Sequence, residues 1–189
     1  MIVYIHGASA TSESFNYVRE HIGGEDYCVN YDSRNGFENN LADIHDQIKN
    51  FTNIFFICHS LGGIYALHLS NMLEDQVVGA VTLSTPYGGA EIADVAKFFL
   101  PYSRLLRDVG PNSWAMKRAN NIAITHPWLN IVTVKGNALW VPQPNDGVVT
   151  IASQKHHNKD MDLIDLEYNH YEVLLSDKTV KIIKERLNA

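Results

Sequence analysis

Basic charge is what this sequence is shortest of. Fifteen Lys and Arg stand against 21 Asp and Glu, a net charge of -6, and the cations gather into no stripe anywhere along the chain. Nucleic-acid binders concentrate Lys and Arg to neutralise phosphates, so no nucleic-acid partner is expected. Long apolar runs are missing as well. No stretch approaches the ~20 consecutive apolar residues needed to cross a bilayer, and no membrane span is expected. The opening residues Met1 to Gly7 have neither the basic start nor the small-residue cleavage site of a secretory signal, which leads to the expectation of a cytoplasmic protein. Cysteine is scarce. Cys28 and Cys58 each sit inside an apolar, strand-like run, a setting for buried free thiols rather than for a disulfide framework. Repeats, linkers and low-complexity tracts are absent too, and 189 residues with 46% hydrophobic content suit a single domain over residues 1–189.

What is present is a regular alternation. Strand signals at Met1–Ile5, Tyr27–Asp32, Asn53–His59, Val77–Leu83, Trp128–Val134 and Met161–Glu167 are separated by helical spacing. The clearest helix has Phe37, Leu41, Ile44, Ile48 and Phe51 recurring at four and three residues. Others are expected at about Phe15–Ile22, Leu61–Leu73 and Thr179–Leu187. The run at 53–59 is apolar on both faces, as a central parallel strand covered by helices on each side would be. The fold class expected is therefore α/β, a mostly parallel central sheet with helices on both faces. Residues 90–127 break the rhythm. They are too long and too apolar for a plain connection and are expected to form helical pieces lying over the top of the sheet.

Chemistry gathers around Ser60. The strand Asn53–His59 ends abruptly in a serine among small residues, and a helical stretch follows at once. Strand, sharp turn and helix would lift the hydroxyl clear of the sheet, the arrangement of a Gly-x-Ser-x-Gly elbow. Here Gly62 holds the second glycine position and Cys58 takes the first. A serine hydroxyl needs a base, and the base needs an acid that sets its tautomer. Open parallel sheets collect functional groups beyond the carboxyl ends of their strands. His170 follows the last expected strand, and Asp146 lies in the loop after the strand before it. Asp162, Asp165 and Glu167 are rival acids, but they sit on the strand itself, where Asp165 and Glu167 point away from its tip towards a solvated edge. Backbone N–H groups of Ala8, just past the first strand, and of Leu61, at a helix start, are candidates for an oxyanion hole. His6 and Ser9 are expected to brace the first loop, and His156–His157 to lie on a solvated turn.

These motifs together resemble the lipase and esterase group of α/β-hydrolases, close in pattern to bacterial lipases and to GPI inositol-deacylase-like proteins. The resemblance is carried by His6-Gly7-Ala8, Cys58-His59-Ser60-Leu61-Gly62-Gly63, Thr85-Pro86-Tyr87-Gly88-Gly89, Asn145-Asp146-Gly147 and Asn169-His170. It implies a minimal α/β-hydrolase fold lacking the leading pair of strands, with Ser60 as nucleophile, Asp146 as acid, His170 as base and Ala8 and Leu61 as oxyanion donors. It further implies that the 90–127 insertion is a small lid or cap which, through Phe98, Phe99, Leu106 and Trp114, lines an acyl site for a small-molecule ester or lipid substrate. An acyltransferase would share every motif, and a non-catalytic binder on the same fold is the remaining alternative. The strand order of such a fold would put the Met1–Ile5 strand between those carrying Cys28 and Cys58, about 10 Å apart and beyond disulfide reach. Some related lipases hold calcium through an acid two residues after the histidine, a place taken here by Glu172, for which no second ligand is evident. No cofactor and no metal are expected.

Overall fold

A computed structural model of the chain describes residues 1–88, 113–138, 142–157 and 159–189. Six strands, β1 (Ile2–Ile5), β2 (Asp26–Cys28), β3 (Ile54–His59), β4 (Val77–Leu83), β5 (Trp128–Thr133) and β6 (Asp162–Leu166), form one sheet in the order β2-β1-β3-β4-β5-β6. Every neighbouring pair is parallel. The expected α/β architecture is therefore present, and β3 is an interior strand. Only β2 departs clearly from its expected span of Tyr27–Asp32. As an edge strand it has β1 as its single neighbour, and at Asn30 the side chain of Gln47 takes over the backbone, accepting from the N–H at 3.2 Å and donating to the carbonyl at 2.9 Å.

Side-chain alternation along the strands builds two cores. Val3, Ile5, Ile54, Phe56 and Cys58 pack on one face with helices α2 (Phe37–Ile48) and α3 (Leu61–Met72). Tyr4, Ile57, Val81, Leu83 and Ile131 pack on the other, beneath α1 (Asn16–Ile22) and the closing helix Asp177–Leu187. Helix α2 buries Phe37, Leu41, Ile44 and Ile48, four of the five positions its spacing predicts; the helix ends at Ile48, so Phe51 packs against the core from the connection beyond it. Helix α3 has no polar face, and every residue from Leu61 to Ser70 is buried. Such a helix is held by packing all round rather than by amphipathicity.

Cys28 is opposite Tyr4, and Cys58 opposite Ile5, on the two sides of β1. Because Tyr4 and Ile5 face opposite sides of the sheet, so do the two thiols, and both are free. Among the described residues no helix is long and apolar enough to cross a membrane. Of the segment expected as a lid, the described part holds the short helix Trp114–Ala119.

Candidate active site

The turn between β3 and α3 is made by close approach. Ser60 has φ 52° and ψ -122°, a left-handed conformation that a non-glycine residue enters only at a penalty of about 1–3 kcal/mol. It is held there from both sides. The Ser60 N–H donates to the Leu83 carbonyl at 2.8 Å, and the Ser60 carbonyl accepts from Gly63 N–H at 3.0 Å. Helix α3 then runs so near the end of β1 that a Cβ on Gly62 would stand 2.0 Å from the Ile5 carbonyl oxygen. A Cβ on Gly63 would stand 2.1 Å from Thr85 Oγ1. Only glycine fits either place. Cys58, by contrast, is a strand residue whose side chain is fully buried in the core beside α3.

The loop after β1 lies against the same turn. A Cβ on Gly7 would be 3.0 Å from Ser60 Cβ, which sets the backbone leading to Ala8 alongside the serine. His6 is buried, stacks on Tyr31 at 4.2 Å between ring centroids, and donates from Nδ1 to the Gly7 carbonyl at 2.9 Å. Tyr31 hydroxyl donates to the His6 carbonyl at 2.8 Å, and Ser9 N–H donates to Ser33 Oγ at 3.1 Å. His6 and Ser9 brace this loop, as expected.

His170 sits in the turn after β6 and is buried. Its Nδ1 pairs with Asp146 Oδ2 at 2.8 Å, and its own N–H donates to the Asp146 carbonyl at 3.0 Å. The third anchor is His59, the residue before the serine, whose Nε2 donates to the His170 carbonyl at 2.8 Å. The two imidazoles are 4.7 Å apart, centroid to centroid, so the turn that carries Ser60 and the turn that carries His170 are bonded together. Burial pushes the His59 pKa down to about 3, aided by the neighbouring His170, so this ring is neutral through the physiological range.

Asp146 is wholly buried, yet no part of its carboxylate is bare. Oδ1 accepts from the N–H groups of Val148 and Val149 at 2.9 and 2.7 Å. Oδ2 accepts from Thr133 Oγ1 at 2.5 Å and from Gln154 Nε2 at 3.1 Å, besides His170. Burial alone would raise its pKa, but the bonds from His170, Thr133 and Val149 outweigh that and hold it below the ordinary carboxylate value. The acid loop is also set by a close approach, since a Cβ on Gly136 would fall 2.0 Å from the Asp146 carbonyl carbon. The rival acids are engaged elsewhere: Asp162 with Arg186, Asp165 with Lys155 at 2.6 Å, and Glu167 exposed.

Ser60, Asp146 and His170 thus stand at the ends of β3, β5 and β6 on one edge of the sheet, with Ala8 and Leu61 beside the serine. Trp114 is 47% exposed, lies 5.7 Å from His68 and has the Arg118 guanidinium 5.5 Å from its ring centroid. His68 is eight positions beyond Ser60, about 12 Å along α3 at 1.5 Å per residue. Phe98, Phe99 and Leu106 lie outside the described residues. The expectation for His156–His157 needs correcting. His156 is exposed, but His157 is 8% exposed, edge-on to Tyr87 at 5.6 Å, because the chain folds back over Tyr87 after the helix Ile151–Gln154. Glu172 Oε2 accepts from Asn169 N–H at 3.0 Å, and among the described residues no group of three His, Cys, Asp or Glu side chains that could hold a metal ion is found. Thr133, Gln154, His59 and Gly136 were not singled out from sequence. The acid-base order could have prompted a search for a donor to Asp146, but nothing local in the sequence marks which side chain it is.

A doubly wound parallel sheet with a strained serine at a strand-to-helix turn and a buried acid-histidine pair beyond later strands defines the α/β-hydrolase class. The chain belongs to the alpha/beta hydrolase family, whose model matches residues 2–163. Among solved structures it is similar to the mature form of the Bacillus licheniformis lipase BlEst2, with 16% identity, a TM-score of 0.75, and 98% of this chain and 91% of that one covered. It is likewise similar to a pyrethroid hydrolase from Sphingobium faniae JZ-2, with 14% identity, a TM-score of 0.70, and 100% and 97% covered. A third, a monoacylglycerol lipase from Paleococcus ferrophilus, has 15% identity, a TM-score of 0.65, and 98% and 91% covered. At such identities these likenesses speak to the fold. No curated protein matches the sequence significantly.

Proposed function

We propose that this chain is a serine hydrolase of carboxylic esters or thioesters with an apolar acyl part, working through an acyl-enzyme. The observation that carries the proposal is the buried 2.8 Å bond between His170 Nδ1 and Asp146 Oδ2, in a turn tied by His59 to the strained Ser60. With Nδ1–H committed to Asp146, the free lone pair of His170 is on Nε2, as a general base requires.

In the first half-reaction Ser60 Oγ attacks the acyl carbon and its proton passes to His170 Nε2. The oxyanion is received by the N–H groups of Ala8 and Leu61. Leu61 is the first residue of α3, so its N–H has no acceptor within the helix and adds the positive end of the helix dipole. Collapse of the tetrahedral intermediate breaks the bond to the alcohol or thiol, which leaves with the proton from His170. Water then attacks the acyl-serine with His170 again as base, and the acid departs while Ser60 regains its proton. Phe98, Phe99, Leu106 and Trp114 are the proposed wall of the acyl site, in keeping with the largely apolar lining of small-molecule pockets.

Fluorophosphonate labelling followed by a chromogenic ester panel of graded acyl length tests the assignment. The parent should be labelled at Ser60 and turn over esters, and Ser60→Ala should lose both. A parent that takes no label, or a Ser60→Ala protein that labels fully, overturns it.

A further inference from the structure

We propose that Thr133 and Gln154 are positioning residues for Asp146. They hold it as a pure hydrogen-bond acceptor, so that it orients His170 and never takes the proton His170 receives. The proposal rests on the serine-hydrolase function above, and concerns two fully buried residues that lie 13 and 8 positions from Asp146.

Gln154 is fully buried and its amide has one possible orientation. Its Oε1 accepts from Thr133 N–H at 2.9 Å, which obliges Nε2 to face the Thr133 carbonyl and Asp146 Oδ2, each at 3.1 Å. The Gln154 backbone is anchored in turn through a chain with a fixed direction. Trp128 Nε1–H, which can only donate, meets Tyr87 Oη at 2.9 Å. Tyr87 hydroxyl then donates to Thr82 Oγ1 at 3.0 Å, and Thr82 donates to Asn130 Oδ1 at 2.9 Å. Asn130 Nδ2 is left to donate to the Gln154 carbonyl at 2.8 Å. Thr133 Oγ1 has three possible acceptors, Asp146 Oδ2 at 2.5 Å, Ser84 Oγ at 2.8 Å and Gln154 Oε1 at 3.3 Å, and the shortest and only charged one, Asp146, takes its proton, which leaves Ser84 to donate to Thr133.

Asp146 therefore faces five donors: two backbone N–H groups, Thr133, Gln154 and His170. The four donors other than His170 stabilise the ionised carboxylate and make it a weaker base, so the proton abstracted from Ser60 stays on the imidazole. Thr133 and Gln154 also share the charge of Oδ2 with His170. Without either, His170 feels a fuller negative charge and loses its fixed partner.

The experiment measures kcat and KM against pH on one short ester for Thr133→Val, Thr133→Ser and Gln154→Glu, together with the low-field proton resonance of His170 Nδ1–H. Circular dichroism checks folding. Thr133→Val should lower kcat about 10- to 100-fold, the worth of a hydrogen bond to a charged group, with KM within about twofold. The ascending limb of its profile should move to higher pH and the resonance should shift, while Thr133→Ser restores both. Gln154→Glu should add a descending alkaline limb, because the new carboxyl can donate to Asp146 only while protonated. Should Thr133→Val not fold, that alkaline limb and the Thr133→Ser resonance carry the test. Parent-like kcat, pH profile and resonance in folded Thr133→Val and Gln154→Glu overturn the proposal. Absence of turnover in the parent would sink the hydrolase function instead, and the resonance alone would then decide whether these two residues position His170.

Discussion

The serine end and the acid-histidine end of this site are built by opposite means. At the serine end the backbone does the work. Ser60 is placed by positive φ, two backbone hydrogen bonds and two glycines against which a single methyl would collide. At the other end side chains do most of it: Thr133, Gln154, His59, Asp146 and His170 interlock through hydrogen bonds in a buried, polar pocket, and the close approach of Gly136 to the Asp146 backbone is the place there where volume also counts. A site made of backbone should tolerate changes of polarity nearby but no added volume. A site made of side-chain bonds should tolerate small volume changes but not the loss of a donor or a charge.

The sharpest probe of that contrast removes a charge while keeping the volume. Asp146→Asn keeps the shape but offers His170 a donor where it needs an acceptor, and kcat should fall by on the order of 10⁴ with the fold intact, the size known from a trypsin-like triad. Steady-state kinetics with circular dichroism checks it, and a loss under tenfold would mean another acid serves His170. Next comes a probe of volume. Gly62→Ala pushes a Cβ to 2.0 Å from a main-chain oxygen, so neither partner can swing aside, and unfolding in urea should reveal a loss of about 3 kcal/mol or more. A neutral result there would break the claim that close backbone approach sets the serine end.

A smaller effect comes from acid. In the folded protein burial holds His59 near pKa 3 and His68 near pKa 4, while unfolded histidine titrates near 6.5. The unfolded chain therefore binds the extra protons first as the pH falls. The stability from keeping these rings neutral is complete above about pH 6.5 and drains away below it, by about 1.4 kcal/mol per pH unit for each ring, down to the folded values. His59→Asn should flatten that decline in urea midpoints measured between pH 7 and 5, and an unchanged slope would contradict it. Smallest of all, Asp165→Asn, which breaks a surface pair with Lys155, should change stability by less than about 1 kcal/mol and leave kcat within about tenfold of the parent.

The same contrast explains what was legible in the sequence. The elbow could be found because its sequence pattern is contiguous, an apolar strand, small residues and an apolar helix from Ile54 to Met72, even though Leu83, Ile5 and Thr85 help to hold it. The sheet followed from alternating periodicities, and its order from the fold that the motifs resemble. His170 and Asp146 could be picked out because each follows a strand. Their supports could not. Thr133 reads as an ordinary strand residue, and Gln154 as part of a short polar turn. Their meaning appears only when strands distant in sequence become neighbours. Edges were misjudged where a side chain replaces a strand's partner, as Gln47 does at Asn30. His157 was misjudged because adjacent polar residues can divide between surface and core.

The bond from His59 to the His170 carbonyl spans 111 positions in the chain. Closing a loop that long carries most of its entropic penalty before any contact rewards it, whereas β3 and α3 can meet locally. During refolding, the elbow can thus take shape well before the base arrives beside it. Helical signal should return first, and the ability to react with a fluorophosphonate only when the last strand has docked, which makes the reactive serine a clock for the end of folding.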